Sequence, residues 1–192
     1  VSQSLPTAVT LATKDKKDFE NISKLIPNKE FRIYYSNDLI GTQIGGALKN
    51  IYAIAAGVAE GLNLGENAKS ALISRSFAEM TRYAKKFKAD KNTLFGLSGL
   101  GDLILTCSSK NSRNTQFGIK LASSKYDNFL DLLKSQEVTE GYYTVKAVYN
   151  ISQKKNIDMP IMESVYNILY KQHDLKEELS NLLSRPITEE KI

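Results

Sequence analysis

The chain has 192 residues, of which 42% are hydrophobic and 24% are charged. This composition is typical of a folded domain and excludes disordered and collagen-like proteins. Lysine and arginine outnumber aspartate and glutamate by 26 to 21, which gives a formal net charge of +5. The excess is mild and scattered along the chain, and no nucleic-acid-binding motif accompanies it. We therefore expect a small anionic ligand rather than a nucleic acid.

Cysteine and histidine are scarce in this sequence. The single cysteine, Cys107, and the single histidine, His173, make neither an internal disulfide nor a metal-binding set. The most apolar stretch, 51–59, is much shorter than the roughly 20 residues that cross a bilayer. No signal peptide is recognisable, and the sequence begins with Val1 rather than methionine. We expect a cytoplasmic, metal-free protein without a membrane span, of which this chain is a piece.

Residues 1–37 show the pattern of an α/β unit. β-Branched residues predict a strand over 5–13, and apolar spacing predicts an amphipathic helix over 15–26. The segment FRIYY predicts a second strand over 31–35. Because two strands and one helix cannot cover a sheet by themselves, we interpret 1–37 as the C-terminal edge of an α/β domain.

Residues 38–192 are predicted to be helical throughout. Apolar residues recur at helical spacing in five segments, at 42–62, 67–88, 117–134, 142–155 and 160–171. Pro160 opens the last of these at the position that proline favours in a helix. Asp174 followed by Glu177 predicts the cap of one further helix. The predicted fold class is mainly α, with a short β-α-β unit in front of a helical domain.

The first candidate site surrounds Lys49. On a helical wheel this lysine shares a face with four small residues, Gly45, Gly46, Ala53 and Ala56. Two helical glycines cost roughly 1 kcal/mol each relative to alanine, and small side chains let a ligand or another backbone approach closely. Tight helix packing beside a snorkelling lysine accounts for this pattern. A desolvated lysine that exchanges a proton or stabilises an oxyanion accounts for it too, and both hypotheses stay open.

A glycine-rich turn at 96–101 carries the second candidate site. Asp102 ends this turn and is expected to cap the helix that follows, with Thr106 one turn later on the same face. The turn does not match the glycine pattern that binds dinucleotides. A plain capped helix after a flexible turn is the structural alternative.

The third and fourth candidate motifs lie in predicted loops. Ser112, Arg113 and Asn114 stand in a polar loop at 108–116 and offer a hydroxyl, a guanidinium and an amide. This set suits a phosphate group, because arginine binds two oxygens at once. The segment VTEG (138–141) places a carboxylate beside a glycine. Either motif is also common in solvated loops.

These motifs occur together, and in this order, in one protein family. The chain resembles the C-terminal part of bacterial NAD(P)-dependent glycerol-3-phosphate dehydrogenases. The matching segments are LPTAV (5–9), GGALKNIYAIAAG (45–57), GLSGLGDLILTC (96–107), SRN (112–114), VTEG (138–141) and MPI (159–161). The family's glycine-rich phosphate loop has no counterpart in this chain.

The resemblance implies a role for individual residues. It implies that Lys49 is the catalytic proton donor and acceptor and that Asp102 orients both the lysine and the substrate. Substrate contacts are also implied for Lys49 itself and for Asn50, Thr106, Ser112, Arg113 and Asn114. Cofactor contacts are implied for Arg113, Val138 and Glu140.

The resemblance also implies a reaction and an architecture. The reaction interconverts dihydroxyacetone phosphate and sn-glycerol 3-phosphate with NAD or NADP, supplies phospholipid synthesis, uses no metal and takes place in a homodimer. Residues 1–37 would end the nucleotide-binding domain, and 38–192 would form the substrate domain. Without the phosphate loop, we expect the isolated chain to be inactive.

Two alternatives remain open. One is the helical domain of a related hydroxy-acid or phosphosugar dehydrogenase. The other is a non-catalytic helical domain that mediates association, in which Lys49 and Asp102 serve packing alone.

Overall fold

The computed structural model describes residues 5–26, 29–123, 139–186 and 189. A β-α-β unit comes first and consists of strand β1 (Thr7–Ala12), helix α1 (Lys16–Lys24) and strand β2 (Phe31–Ser36). The two strands pair in parallel, with Thr7 opposite Phe31, and α1 supplies the crossover that parallel strands require. None of residues 5–26 and 29–36 is fully buried. The unit therefore has no core of its own, as the sequence analysis expects of two strands and one helix.

The rest of the described chain is helical. Its helices are α2 (Leu39–Gly61), α3 (Gly65–Lys86), α4 (Lys91–Phe95), α5 (Asp102–Ser108), α6 (Arg113–Ser123), α7 (Glu140–Lys155), α8 (Pro160–Lys171) and α9 (Leu175–Leu183). A π-helical turn, Leu97–Gly101, leads into α5. The prediction of a mainly α chain behind a β-α-β unit is confirmed.

Helix α2 lies at the centre of the helical part. Helices α3, α5, α6, α7 and α8 all pack against it. Apolar side chains on several of its faces are completely or almost completely buried, among them Leu48, Ile51, Tyr52 and Ile54. A helix that is apolar all round belongs in the interior of a protein. Its surroundings make α2 a rigid support for any functional group that it carries.

Helix α6 approaches α2 closely enough for their backbones to touch. Gly57 of α2 and Gly118 of α6 face each other, and a Cβ on Gly57 would lie 3.0 Å from the Cα of Gly118. Gly61 continues this contact one turn later, against Ile119 and Ala122 of α6. The spacing of these glycines therefore serves helix packing, and it brings the start of α6 beside α2.

Several helix boundaries differ from the sequence-based predictions, and two of these differences have a local reason. Helix α2 begins at Leu39 rather than at 42, because the Asp38 carboxylate accepts the N–H of Gly41. Helix α4 was not predicted. The predicted loop at 108–116 is shorter than expected, because α6 already begins at Arg113, after Ser112. The predicted helix over 117–134 is observed up to 123, and its remainder lies outside the described residues.

Candidate active site

Lys49 and Asp102 form an ion pair between α2 and the first residue of α5. Lys49 Nζ lies 2.5 Å from Asp102 Oδ2. The side chains are 24% and 30% exposed, so the pair is partly shielded from water and open on one side. Gly45 allows this arrangement, because any Cβ there would collide with the carbonyl oxygen of Ser98 in the π-helical turn. The backbone of that turn therefore rests directly on α2 and delivers Asp102 to the lysine.

The prediction that Asp102 caps α5 is wrong. The π-helical turn continues directly into α5, and the N–H of Asp102 points to the carbonyl oxygens of Leu97 and Gly99. No side chain caps α5 at this point. The Asp102 carboxylate is therefore available for Lys49. Thr106 lies beside it, and its Oγ1 donates to the main-chain oxygen of Asp102 at 2.6 Å and lies 3.4 Å from Oδ1.

A second polar chain joins α2, α6 and α7 next to Lys49. Asn50 Nδ2 donates to Glu140 Oε2 at 3.1 Å, and Asn114 Nδ2 donates to Asn50 Oδ1 at 3.0 Å. Asn114 Oδ1 accepts the N–H of Gly141 at 2.9 Å. Both asparagines are buried. The amide of Asn114 thus holds three helices together, a role that the sequence did not indicate.

A cleft of about 320 Å³ opens beside these two groups of residues. Its walls are formed by Lys49, Asn50, Leu105, Thr106, Ser109, Asn111, Ser112, Arg113, Asn114 and Glu140. Asp102 reaches the cleft through Lys49 and Thr106. Ser109 and Asn111 also line the cleft but belong to none of the candidate motifs, although both lie in the predicted polar loop at 108–116. Of the residues that the resemblance singled out, only Val138 lies outside the described residues.

The start of α6 supplies positive charge at one end of the cleft. The first N–H groups of a helix carry partial positive charge, which favours phosphates and other anions. Ser112 Oγ accepts the N–H of Thr115 at 3.3 Å and so begins the helix. The guanidinium of Arg113 is 57% exposed and lies 3.9 Å from Glu140 Oε1, a distance that makes a loose ion pair. This end of the cleft is suited to an anionic oxygen group.

Cys107 follows Thr106 in α5 but takes no part in the cleft. The thiol is buried, and this burial raises its pKa to about 12. It therefore stays protonated at neutral pH and is a structural core residue. Within the described ranges, no group of three or more His, Cys, Asp or Glu side chains is placed to hold a metal ion. No described helix is long and apolar enough to cross a membrane.

Known proteins are similar to this chain in sequence and fold. Residues 38–180 match the family model described as NAD-dependent glycerol-3-phosphate dehydrogenase C-terminus. A glycerol-3-phosphate dehydrogenase (NAD(P)+) of Solidesulfovibrio magneticus is 46% identical over 191 residues, which cover 99% of this chain and 57% of that protein. The corresponding protein of Colwellia psychrerythraea is 43% identical over 186 residues, covering 96% of this chain and 55% of that protein. The chain thus spans just over half the length of these curated relatives.

A solved structure agrees with these sequence matches. The crystal structure of glycerol-3-phosphate dehydrogenase from Coxiella burnetii superposes with a TM-score of 0.89 at 38% identity, covering 96% of this chain and 56% of that chain. The chain therefore belongs to the glycerol-3-phosphate dehydrogenase family and corresponds to its C-terminal, mainly helical part.

Proposed function

We propose that this chain is the substrate half of an enzyme that interconverts dihydroxyacetone phosphate and sn-glycerol 3-phosphate with NAD or NADP. The observation that carries the proposal is the Lys49–Asp102 ion pair beside a cleft that is also lined by Arg113 and Asn114 at the start of α6. The family match and the names of the relatives support the choice of reaction.

Lys49 is proposed as the proton donor for ketone reduction. As the ketone becomes a secondary alcohol, negative charge develops on its oxygen. An ammonium group beside that oxygen stabilises the charge and then donates a proton, and it receives the proton back in the reverse reaction. Asp102 holds the ammonium at 2.5 Å, and Thr106 Oγ1 lies 3.4 Å from the other carboxylate oxygen, Oδ1. The bound nicotinamide cofactor supplies the hydride.

The substrate phosphate is proposed to bind at the start of α6. Ser112 and the exposed guanidinium of Arg113 offer donors there, and Asn114 lines the same wall. A phosphate held at this end of the cleft places the carbonyl near Lys49 and Asn50. Binding energy from the non-reacting end of the substrate thus orients the reacting end.

The chain's contribution to cofactor binding is proposed to be limited to the nicotinamide end. Arg113 and Glu140 are well exposed at the rim of the cleft, which fits polar contacts with a bound group. We assign 1–37 to the edge of a nucleotide-binding domain and 38–192 to the substrate domain. The family match, which starts at residue 38, supports this division. Activity then requires the N-terminal domain that the longer relatives have. The full-length enzyme is this chain together with that domain.

The cellular setting is proposed from the same family relationship. We assign the full-length enzyme to the cytoplasm as a homodimer whose product, glycerol 3-phosphate, supplies phospholipid synthesis.

The reaction is tested by following NADH and NADPH oxidation by the full-length enzyme. We expect selective turnover of dihydroxyacetone phosphate over other ketoses and keto acids. Turnover of a different carbonyl compound in its place would overturn the proposed substrate. The isolated chain is expected to show no turnover, and activity of the chain alone would refute the requirement for a second domain.

Two substitutions in the full-length enzyme separate the proposed roles. Lys49→Ala is expected to lower kcat about 100- to 10,000-fold, the usual contribution of a positioned acid. Arg113→Ala is expected to raise the KM for dihydroxyacetone phosphate roughly 10- to 100-fold, because a hydrogen bond to a charged group is worth about 1.5 to 3 kcal/mol. Lys85→Ala, on an exposed face of α3, is the matched control. Near-normal turnover of Lys49→Ala would favour a packing role for the lysine.

A further inference from the structure

A carboxylate outside the cleft joins helices α2, α3 and α8. Glu79 of α3 is only 1% exposed. Its Oε1 accepts the N–H of Ile161 at 2.6 Å, and its Oε2 accepts the N–H of Met162 at 3.1 Å and the hydroxyl of Tyr52 at 3.3 Å. Ile161 and Met162 belong to the first turn of α8, and Tyr52 belongs to α2. One side chain thus ties the start of α8 and the middle of α2 to α3.

The helix end explains why a carboxylate is tolerated at this depth. The first N–H groups of α8 would otherwise lack partners, and their partial positive charge favours an anion. Burial still dominates, because it raises the pKa of Glu79 to about 7, while the hydrogen bonds from Ile161 and Met162 and the nearby Arg82 act in the opposite direction. A buried carboxylate is costly unless its hydrogen bonds are satisfied. Here each oxygen of Glu79 has a donor.

The position of Tyr52 connects this carboxylate to the candidate active site. Tyr52 follows Lys49 by three residues, so both stand on the same turn of α2. Its ring is completely buried, and its hydroxyl donates to Glu79. Any rotation of α2 about its own axis moves Lys49 relative to Asp102, which is held on a different helix. The Asn50 amide ties α2 to α6 and α7 beside Lys49, and the Tyr52–Glu79 hydrogen bond adds the tie to α3.

We propose that Glu79, acting through the hydroxyl of Tyr52, is a positioning residue that fixes the rotation of α2 and so aims Lys49 at the substrate carbonyl. This inference rests on the proposed function. Neither Glu79 nor Tyr52 lines the cleft of Lys49, so the effect passes through the helix.

Glu178 of α9 provides a matched control. It too is a buried carboxylate that joins helices. Its Oε1 accepts from Asn167 Nδ2 at 3.2 Å and lies 2.7 Å from His173 Nδ1. Asn167 belongs to α8, and His173 follows that helix. Glu178→Gln therefore perturbs a buried contact of the same kind that does not include α2.

The kinetic test uses Glu79→Gln, Tyr52→Phe and Glu178→Gln in the full-length enzyme. Misplacing a reacting group by about 1 Å costs up to about 100-fold in rate, so we expect Glu79→Gln to lower kcat about 10- to 100-fold. KM for dihydroxyacetone phosphate should change less than about threefold, because the proposed phosphate donors, Ser112 and Arg113, do not belong to α2. Tyr52→Phe removes only the hydroxyl, and we expect a smaller loss of kcat in the same direction. Equal losses of kcat in Glu79→Gln and Glu178→Gln would overturn the proposal.

A double-substitution test shows whether Glu79 acts through the lysine. In a Lys49→Ala background there is no ammonium to position, so Glu79→Gln should not reduce the residual turnover further. A further loss as large as that in the wild-type background would mean that Glu79 affects activity by another route. If Glu79→Gln does not fold, Tyr52→Phe takes its place in the same cycle.

A substrate-independent measurement separates this inference from the proposed function. Lysines of the folded full-length enzyme are acetylated competitively with acetic anhydride, and mass spectrometry compares Lys49 with Lys85. We expect Glu79→Gln and Tyr52→Phe to change the relative rate at Lys49 by at least about threefold, and Glu178→Gln to leave it unchanged. Unchanged labelling of Lys49 in the first two variants would overturn the positioning role. Failure of the wild-type enzyme to reduce dihydroxyacetone phosphate would overturn the proposed function instead, since the labelling result needs no substrate.

Discussion

Replacing Gly118 by alanine tests how closely α2 and α6 must approach. A Cβ at this position would lie 2.8 Å from the nitrogen of Val58 and 2.9 Å from the Cα of Gly57, and closer still to the carbonyl oxygen of Ile54. Ordinary Cβ contacts begin at 3.4 Å. All three atoms belong to the backbone of α2, so no side-chain rotation relieves the overlap. Clearing the Ile54 oxygen requires the two helices to separate by about 1 Å.

The expected cost follows from this geometry. Extra atoms in a well-packed core usually cost about 1 to 3 kcal/mol. Gly118→Ala should lower the free energy of unfolding by about 3 kcal/mol, the upper end of this range, because rigid backbone opposes the new methyl group. For a chain of this size that corresponds to a Tm lower by about 6 to 12 °C. The separation also moves the start of α6, so phosphate binding in the cleft should weaken.

Gly46→Ala is the matched control, because no atom lies within 4 Å of a Cβ built at Gly46. Alanine in a helix interior is favoured over glycine by about 0.5 to 1 kcal/mol, so this variant should be more stable than wild type. Urea unfolding followed by circular dichroism measures both variants. A free energy of unfolding for Gly118→Ala within about 0.5 kcal/mol of wild type would refute the close approach of α2 and α6.

Three further outcomes are expected. Burial raises the pKa of Glu79 from 4.5 to about 7, so wild type loses stability relative to Glu79→Gln by about 3 kcal/mol as the pH rises from below 4.5 to above 7. Urea unfolding of both proteins across this range measures the loss, and a pH-independent difference would contradict it. Cys107 should react with a thiol reagent only after unfolding in urea, because burial keeps the thiol protonated. Rapid labelling of Cys107 in the native chain would contradict this expectation. Asp174→Ala should lower the free energy of unfolding by about 1 kcal/mol, because the carboxylate caps α9 by accepting the N–H groups of Lys176 and Glu177. Asp174→Asn should retain most of the wild-type stability. Equal decreases of Tm in the two variants would argue against the cap.

Local patterns in the sequence determined most of the secondary structure. Pro160 opens α8, and Asp174 caps α9, as predicted. Caps and first-turn prolines depend on residues within three or four positions of each other, so the sequence contains the whole interaction. The order of the motifs along the chain was also enough to indicate the family. The failure at Asp102 shows the limit, because a helix that continues from the preceding turn needs no cap.

The tertiary structure decided most of the contacts between distant side chains. The resemblance implied that Asp102 orients Lys49, 53 residues away, but no motif indicated that Asn50 meets Asn114, 64 residues away. Nothing in the sequence indicated that Glu79 bonds to Ile161 and Met162, which follow it by 82 and 83 residues. These contacts depend on where helices cross, and the crossings depend on glycines that allow two backbones to touch. A glycine in the sequence shows that close approach is possible, but its partner is set by the packing of the whole chain.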